Sequence, residues 1–138
     1  MTVVDASVWV SRLVPHDVHH AASRQWLLQE LADGHLLVAP VLLLAEVAGA
    51  VSRRTARPLL ARRTTRSLLR LPGLRLVPLG RRLGPEAAEL AADLGLRGAD
   101  AVYVATARRL GLPLVTWDVE QRERAARLIA VRAPDAGA

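Results

Sequence analysis

Cysteine is absent from the 138 residues, which removes disulfides, thiolate metal ligands and cysteine nucleophiles from consideration. Lysine is absent as well, since all 19 basic residues are arginine. A Walker-type phosphate loop, which needs a lysine on the phosphates, is therefore excluded. Phenylalanine is missing, and the aromatics amount to three Trp and one Tyr. Any core must rely on Leu, Val and Ala, a stock that suits helices packed on a parallel sheet. No apolar run approaches the roughly 20 residues of a membrane span. The opening MTVVDASVWV carries an acid and does not read as a signal peptide. A soluble, cytoplasmic protein without membrane attachment is expected.

Negative charge is lacking over one long stretch. Between Glu46 and Glu86 there is no acidic residue but ten arginines: Arg53, Arg54, Arg57, Arg62, Arg63, Arg66, Arg70, Arg75, Arg81 and Arg82. A codon bias toward arginine accounts for the missing lysine without functional pressure. The clustering still creates a positive field that attracts nucleic acid or an acidic partner segment. Any single arginine in it reads equally well as part of a solvated helix face.

What is present is a folded chain. Hydrophobic residues make up 51% and charged residues 23%, and the length fits one domain. That domain is expected over residues 1–132, followed by a short disordered tail at 133–138. Thr2 to Val4 reads as a buried strand, and Ala6 to Val14 as a short helix with Ser7 as a possible cap. Helical spacing covers Asp17 to Ala32 and stops at Asp33-Gly34. His35 to Ala39 is a second strand, followed by a helix to about Arg53 with Pro40 in its first turn. A basic helix is expected from about Ala56 to Leu71, a strand from Leu74 to Pro78, and a helix from Pro85 to Leu94. Gly98 to Leu110 forms the next helix with Gly111 as its stop. The remainder reads as a strand from Leu112 to Thr116, a helix from Val119 to Leu128 and an edge strand at Ile129 to Val131. Short apolar strands alternating with helices predict an α/β fold, a three-layer α/β/α sandwich on a parallel sheet of four to five strands. Ligands bind such sheets beyond the carboxyl ends of the strands.

Acids stand at those places. Asp5 ends the first strand and Asp118 follows the fourth. Asp100 lies in the first turn of the Gly98 helix, and Glu46 is embedded in Leu42-Leu43-Leu44-Ala45-Glu46-Val47-Ala48. Each alone has a plain structural alternative: Asp100 and Asp118 could complement helix starts, and Glu46 could face solvent. An isolated buried carboxylate is costly. Two unit charges about 4 Å apart repel by roughly 4 kcal/mol at an effective dielectric of 20. Clustered carboxylates therefore favour protonation or a divalent cation, and ligands that are all oxygen select Mg²⁺ or Mn²⁺. Phosphoaspartate receivers and haloacid-dehalogenase-like phosphatases also begin with a strand ending in Asp, but both normally use a lysine.

The segments Val3-Val4-Asp5-Ala6-Ser7, Leu44-Ala45-Glu46-Val47, Gly98 to Ala107 and Leu114-Val115-Thr116-Trp117-Asp118 together resemble a PIN-domain ribonuclease. The likeness is to the VapC-type toxins of type II toxin–antitoxin systems, and it spans essentially residues 1–132. It implies a metal site built from Asp5, Glu46 and Asp100, with Asp118 as a fourth acid acting directly or through water. Ser7 and Thr116 match positions of supporting hydroxyls. The resemblance implies one or two Mg²⁺ or Mn²⁺ ions, RNA as substrate, a cognate antitoxin, and a homodimer. Arg97, Arg53, Arg54 and Arg57 would contact RNA or the antitoxin. One departure is visible: Gln121 stands where the family often has an aromatic, which is expected to affect packing more than chemistry.

From the acids and the resemblance together, the expected activity is metal-assisted endoribonucleolytic hydrolysis of RNA phosphodiesters. The alternatives are a housekeeping PIN nuclease and a non-catalytic RNA-binding PIN module. His16, His19 and His20 cluster at a helix start and are read without a catalytic or metal role. Trp9, Trp26 and Trp117 are read as core or interface fillers.

Overall fold

The computed structural model describes residues 1–134. Positions 135–138 of the expected tail lie outside the described residues, while Pro134 is placed and buried. In chain order the elements are β1 (Thr2–Val4), α1 (Ala6–Leu13), α2 (His20–Ala32), β2 (Leu37–Pro40), α3 (Leu42–Thr55) and α4 (Pro58–Arg70). They continue with β3 (Leu74–Val77), α5 (Leu83–Leu94), α6 (Gly98–Leu110), β4 (Leu114–Val115), α7 (Val119–Ala125) and β5 (Val131–Arg132).

The strands form one parallel sheet in the order β3-β2-β1-β4-β5. Thr2 pairs with Leu37, Val3 with Leu114, Leu37 with Leu74, and Leu114 with Val131. Successive residues of a strand face opposite sides of a sheet. Val3, Val4, Leu37, Val38, Ala39, Leu114 and Val115 are all buried, so both faces of the central strands are covered, as a three-layer sandwich requires.

The helices differ in how they bury themselves. In α6 every residue from Ala101 to Ala107 is buried, and a helix apolar on all sides belongs in an interior. It packs on α5, β1, β2 and β4, and Thr106 returns its hydroxyl to the Val102 carbonyl at 2.7 Å. Helix α4 packs against α3. It buries only Ala61, Thr64 and Leu68 and exposes Arg62, Arg63, Arg66 and Arg70. Three helices end in left-handed residues: α5 at Gly95 (φ 64°), α6 at Gly111 (φ 65°) and α3 at Ala56 (φ 56°). Glycine accepts that conformation freely, whereas alanine is strained in it.

Several boundaries differ from the sequence-based expectation. The cap of α1 is Asp5 and not Ser7, because the Asp5 carboxylate accepts the Ser7 N–H. Helix α2 begins at His20 because Asp17 first makes a turn, accepting the His19 N–H at 2.8 Å. Pro40 is the last residue of β2 and not part of a helix. It pairs with Val77 on one side only, a strand-end position where its missing N–H costs little. Helix α5 starts two residues before Pro85, at Leu83, and β4 and α7 are shorter than expected.

Candidate functional site

The sheet order reverses between β1 and β4: the chain builds β2 and β3 on one side of β1, then crosses to place β4 and β5 on the other. The carboxyl ends of two neighbouring strands that diverge in this way form a natural crevice. Asp5 leaves β1 there, and Thr116-Trp117-Asp118 leaves β4 beside it.

Asp5 is 6% exposed. Its Oδ2 accepts the Ser7 N–H at 2.8 Å, and its Oδ1 accepts the Gln121 side-chain amide at 3.4 Å. Burial raises its carboxyl above the usual range by more than the donors of Ser7 and Gln121 lower it, and the charge of Asp118 adds to the rise. Glu46, half-buried on α3, accepts the Tyr103 hydroxyl at 2.8 Å through Oε1. Its carboxyl is raised by burial first and then by Asp5 and Asp100, against the pull of Tyr103. Asp100, in the first turn of α6, is raised by burial and then by Asp5 and Asp118, against Arg97. Asp118 caps α7, accepting the Gln121 N–H at 2.8 Å.

The crevice thus gathers all four acids predicted from the sequence into one electrostatically coupled group. They do not, as placed, form a single ligand cage: among the described residues no three Asp, Glu or His side chains are close enough to hold one ion. Each carboxylate is instead turned toward its own donor. Arg97, with a side chain 78% exposed, spans two of them, with Nε 3.4 Å from Asp100 Oδ2 and Nη2 3.3 Å from Asp118 Oδ2. One arginine against four acids leaves the crevice short of positive charge. The donor set fits a hard divalent cation, being all oxygen and mutually repelling.

The two hydroxyls expected to support the acids bond to each other and to the backbone leaving β4. Ser7 Oγ lies 3.3 Å from Thr116 Oγ1 and accepts the Trp117 N–H at 3.1 Å. Thr116 Oγ1 accepts the Asp118 N–H at 3.1 Å. Together they tie the start of α1 to the chain leaving β4. Arg53, Arg54 and Arg57 are exposed at the end of α3 and the junction with α4. Arg54 pairs with Asp17 at 2.8 Å rather than with any of the four acids.

Two residues at the site were not anticipated from the sequence. Tyr103 lies one helical turn after Asp100, fully buried except for the hydroxyl's bond to Glu46. Gln121, expected to matter for packing, is fully buried and bonded to the acids. The available signal was their rarity in context: the lone tyrosine inside an apolar helix, and an amide on the inner face of α7. Nearby, the His19 and Trp117 rings stack at 3.8 Å with 6° between planes, and the Trp117 Nε1–H donates to Ser23 Oγ at 2.7 Å. Trp9 belongs to the core, as expected.

Comparison with known proteins places this geometry. Residues 2–127 match the family model of the PIN domain. Among solved structures, the Mycobacterium tuberculosis VapC20, described as a sarcin–ricin loop cleaving toxin, superposes with a TM-score of 0.78 at 20% identity, over 96% of this chain and 99% of that one. VapBC2 of Rickettsia felis, solved on a DNA fragment from its promoter, gives 0.71 at 17% identity, covering 96% and 97%. FitAcB of Neisseria gonorrhoeae gives 0.70 at 21% identity, covering 97% and 98%. No curated protein sequence matches the chain.

Proposed function

The chain belongs to the PIN-domain family, and from that premise we propose that it is a metal-dependent endoribonuclease serving as the toxin of a toxin–antitoxin pair. The observation that carries the nuclease reading is the crevice at the β1–β4 switch point. Asp5, Glu46 and Asp100 there each have a carboxyl raised first by burial and further by a neighbouring acid. Burying several carboxylates around a single arginine costs stability, which marks such a group as serving function.

In this reading Asp5, Glu46 and Asp100 would turn from their present donors to hold one Mg²⁺ or Mn²⁺, and Asp118 would contribute to the same ion or a second one. When bound, such an ion would supply positive charge for a phosphodiester and make water at the site more acidic. The chain's own residues do the rest. Tyr103 keeps the Glu46 carboxylate aimed from α3 toward α6 by its 2.8 Å bond. Ser7 and Thr116 fix the backbone that presents Asp5 and Asp118. Arg97, largely exposed, uses two of its nitrogens on Asp100 and Asp118 and has further N–H donors for an RNA phosphate.

The toxin assignment rests on the company of the fold. The structural neighbours include VapC20, described as a sarcin–ricin loop cleaving toxin, and a toxin–antitoxin complex from Klebsiella pneumoniae, the latter with a TM-score of 0.69 at 16% identity. The exposed arginines of α3 and α4 suit RNA phosphates or the acidic part of an antitoxin. A non-catalytic RNA-binding module is the second reading, and the retention of all four acids speaks against it.

The test is cleavage of RNA by the purified chain with Mn²⁺, with EDTA, and with Asp100→Asn. Cleavage should require the divalent ion and disappear in the variant. Cleavage that survives EDTA, or full activity in Asp100→Asn, overturns the proposal. Neutralisation of the chain by the product of an adjacent small gene distinguishes a toxin from a housekeeping PIN nuclease.

A further inference from the structure

One residue of α7 touches three of the four acids. The Gln121 backbone N–H donates to Asp118 Oδ1 at 2.8 Å. Its side-chain Nε2 donates to Asp5 Oδ1 at 3.4 Å and to the Asp100 carbonyl at 3.2 Å. These contacts join the end of β1, the first turn of α6 and the first turn of α7 from inside, while the exposed Arg97 spans only Asp100 and Asp118. The side chain is fully buried, and its Oε1 has no hydrogen-bond partner among the described residues.

A buried amide with one end unmatched is costly, by about 1–3 kcal/mol for the group left without a partner. The opposite orientation is worse, because it would place the amide carbonyl against the Asp5 carboxylate. The two acceptors therefore fix which way the amide points. Side-chain chemistry narrows the choice of residue further. Met or Leu would fill the space without donating. Glu would add a fifth carboxylate to the crevice. Lys or Arg would bring a full charge and compete with a bound cation. Gln alone combines this length with a neutral donor. Asn is one methylene shorter.

From this geometry we propose that Gln121 is a positioning residue of the carboxylate crevice: its amide sets the Asp5 carboxylate against the first turn of α6, and thereby sets the affinity for a divalent ion. The proposal rests on the nuclease reading above for the identity of the ion, and goes beyond it in naming what holds the acids apart and in register. Outer partners of metal ligands commonly govern affinity by 10- to 100-fold. Among the described residues Asp5 has two donor residues, Ser7 and Gln121, so a loss in that range is expected when one is removed.

The experiment measures Mn²⁺ binding by calorimetry to the wild-type chain and to Gln121→Met, with unfolding of both followed in EDTA. The expected result is a variant that melts cooperatively and binds Mn²⁺ about 10-fold or more weakly. Unchanged affinity in a folded Gln121→Met overturns the positioning role, whatever happens to its stability. A wild-type chain that binds no Mn²⁺ overturns the nuclease reading and this inference together, so the two failures are distinguishable.

A second measurement needs no variant. In a Mg²⁺ titration of the wild-type chain by NMR, the side-chain amide resonances of Gln121 should shift on saturation, while those of Gln25 and Gln29, both on α2, stay in place. A Gln121 amide that does not respond to a bound ion refutes the proposal.

Discussion

Replacing Tyr103 with Phe removes one oxygen and nothing else of consequence. The ring is fully buried and keeps its packing, so the change isolates the bond to Glu46 Oε1 at 2.8 Å. A hydrogen bond to a charged group is worth about 1.5–3 kcal/mol, and one between neutral groups about 0.5–1.5 kcal/mol. Glu46 is half-buried, and water can partly replace the lost donor, so the low end applies. A loss of about 1.5 kcal/mol at pH 8 lowers the melting temperature of a chain of this size by roughly 5 °C. The pH dependence has a definite sign. Burial raises the Glu46 carboxyl and the Tyr103 hydroxyl holds it down. Phe lets the folded-state value rise further, so the penalty is full above that value and shrinks as pH falls through it. Urea unfolding in EDTA at pH 8 and pH 4 should show the penalty at pH 8 roughly halved at pH 4. An equal loss at both pH values, or none at pH 8, would refute the claim that Tyr103 serves the ionised carboxylate.

Asp5→Asn should stabilise the metal-free chain at pH 8, because burial holds this carboxyl above its unfolded value and its charge costs stability once pH passes that unfolded value. The gain should vanish at acidic pH, and thermal melts with and without Mn²⁺ should show the ion stabilising the wild type only. Ala56→Gly should raise stability by about 0.5–1 kcal/mol, since the left-handed φ of 56° strains alanine and suits glycine; a lower urea midpoint contradicts this. For RNA, the logarithm of the affinity should fall with the logarithm of salt, and replacing Arg62, Arg63 and Arg66 together should lower that slope by about 2. An unchanged slope removes α4 from the RNA surface.

The strand ends were readable because the sheet is buried on both sides: Thr2-Val3-Val4 and Leu114-Val115 are unbroken apolar runs, and an acid directly after such a run has few structural excuses. Helix α6 was placed to the residue by Gly98 and by Gly111, whose left-handed cap only glycine adopts without strain. Less legible were features that depend on what lies across space. Asp5 displaced Ser7 as the cap of α1 because a carboxylate that must be buried takes the nearest N–H. Pro40 stayed in β2 because its unpaired side faces no partner strand, which the local sequence does not encode. Gln121 looked like a packing residue since its partners, Asp5 and the Asp100 carbonyl, lie 116 and 21 positions away. Arg97 reads from the sequence as a contact for RNA or an antitoxin, whereas its bridge between Asp100 and Asp118 depends on how α6 and α7 are set side by side.

The central strand is also the first of the five in chain order. β1 pairs with β2 soon after it, but its other edge waits for Leu114 and Val115, which come only after β3, α5 and α6. Until then one edge of the future sheet centre stays unpaired, and such long-range closure is intrinsically slow. Asp118 and Gln121 arrive later still. A growing polypeptide therefore carries Asp5 and Asp100 before Gln121, the residue that joins them, has been made.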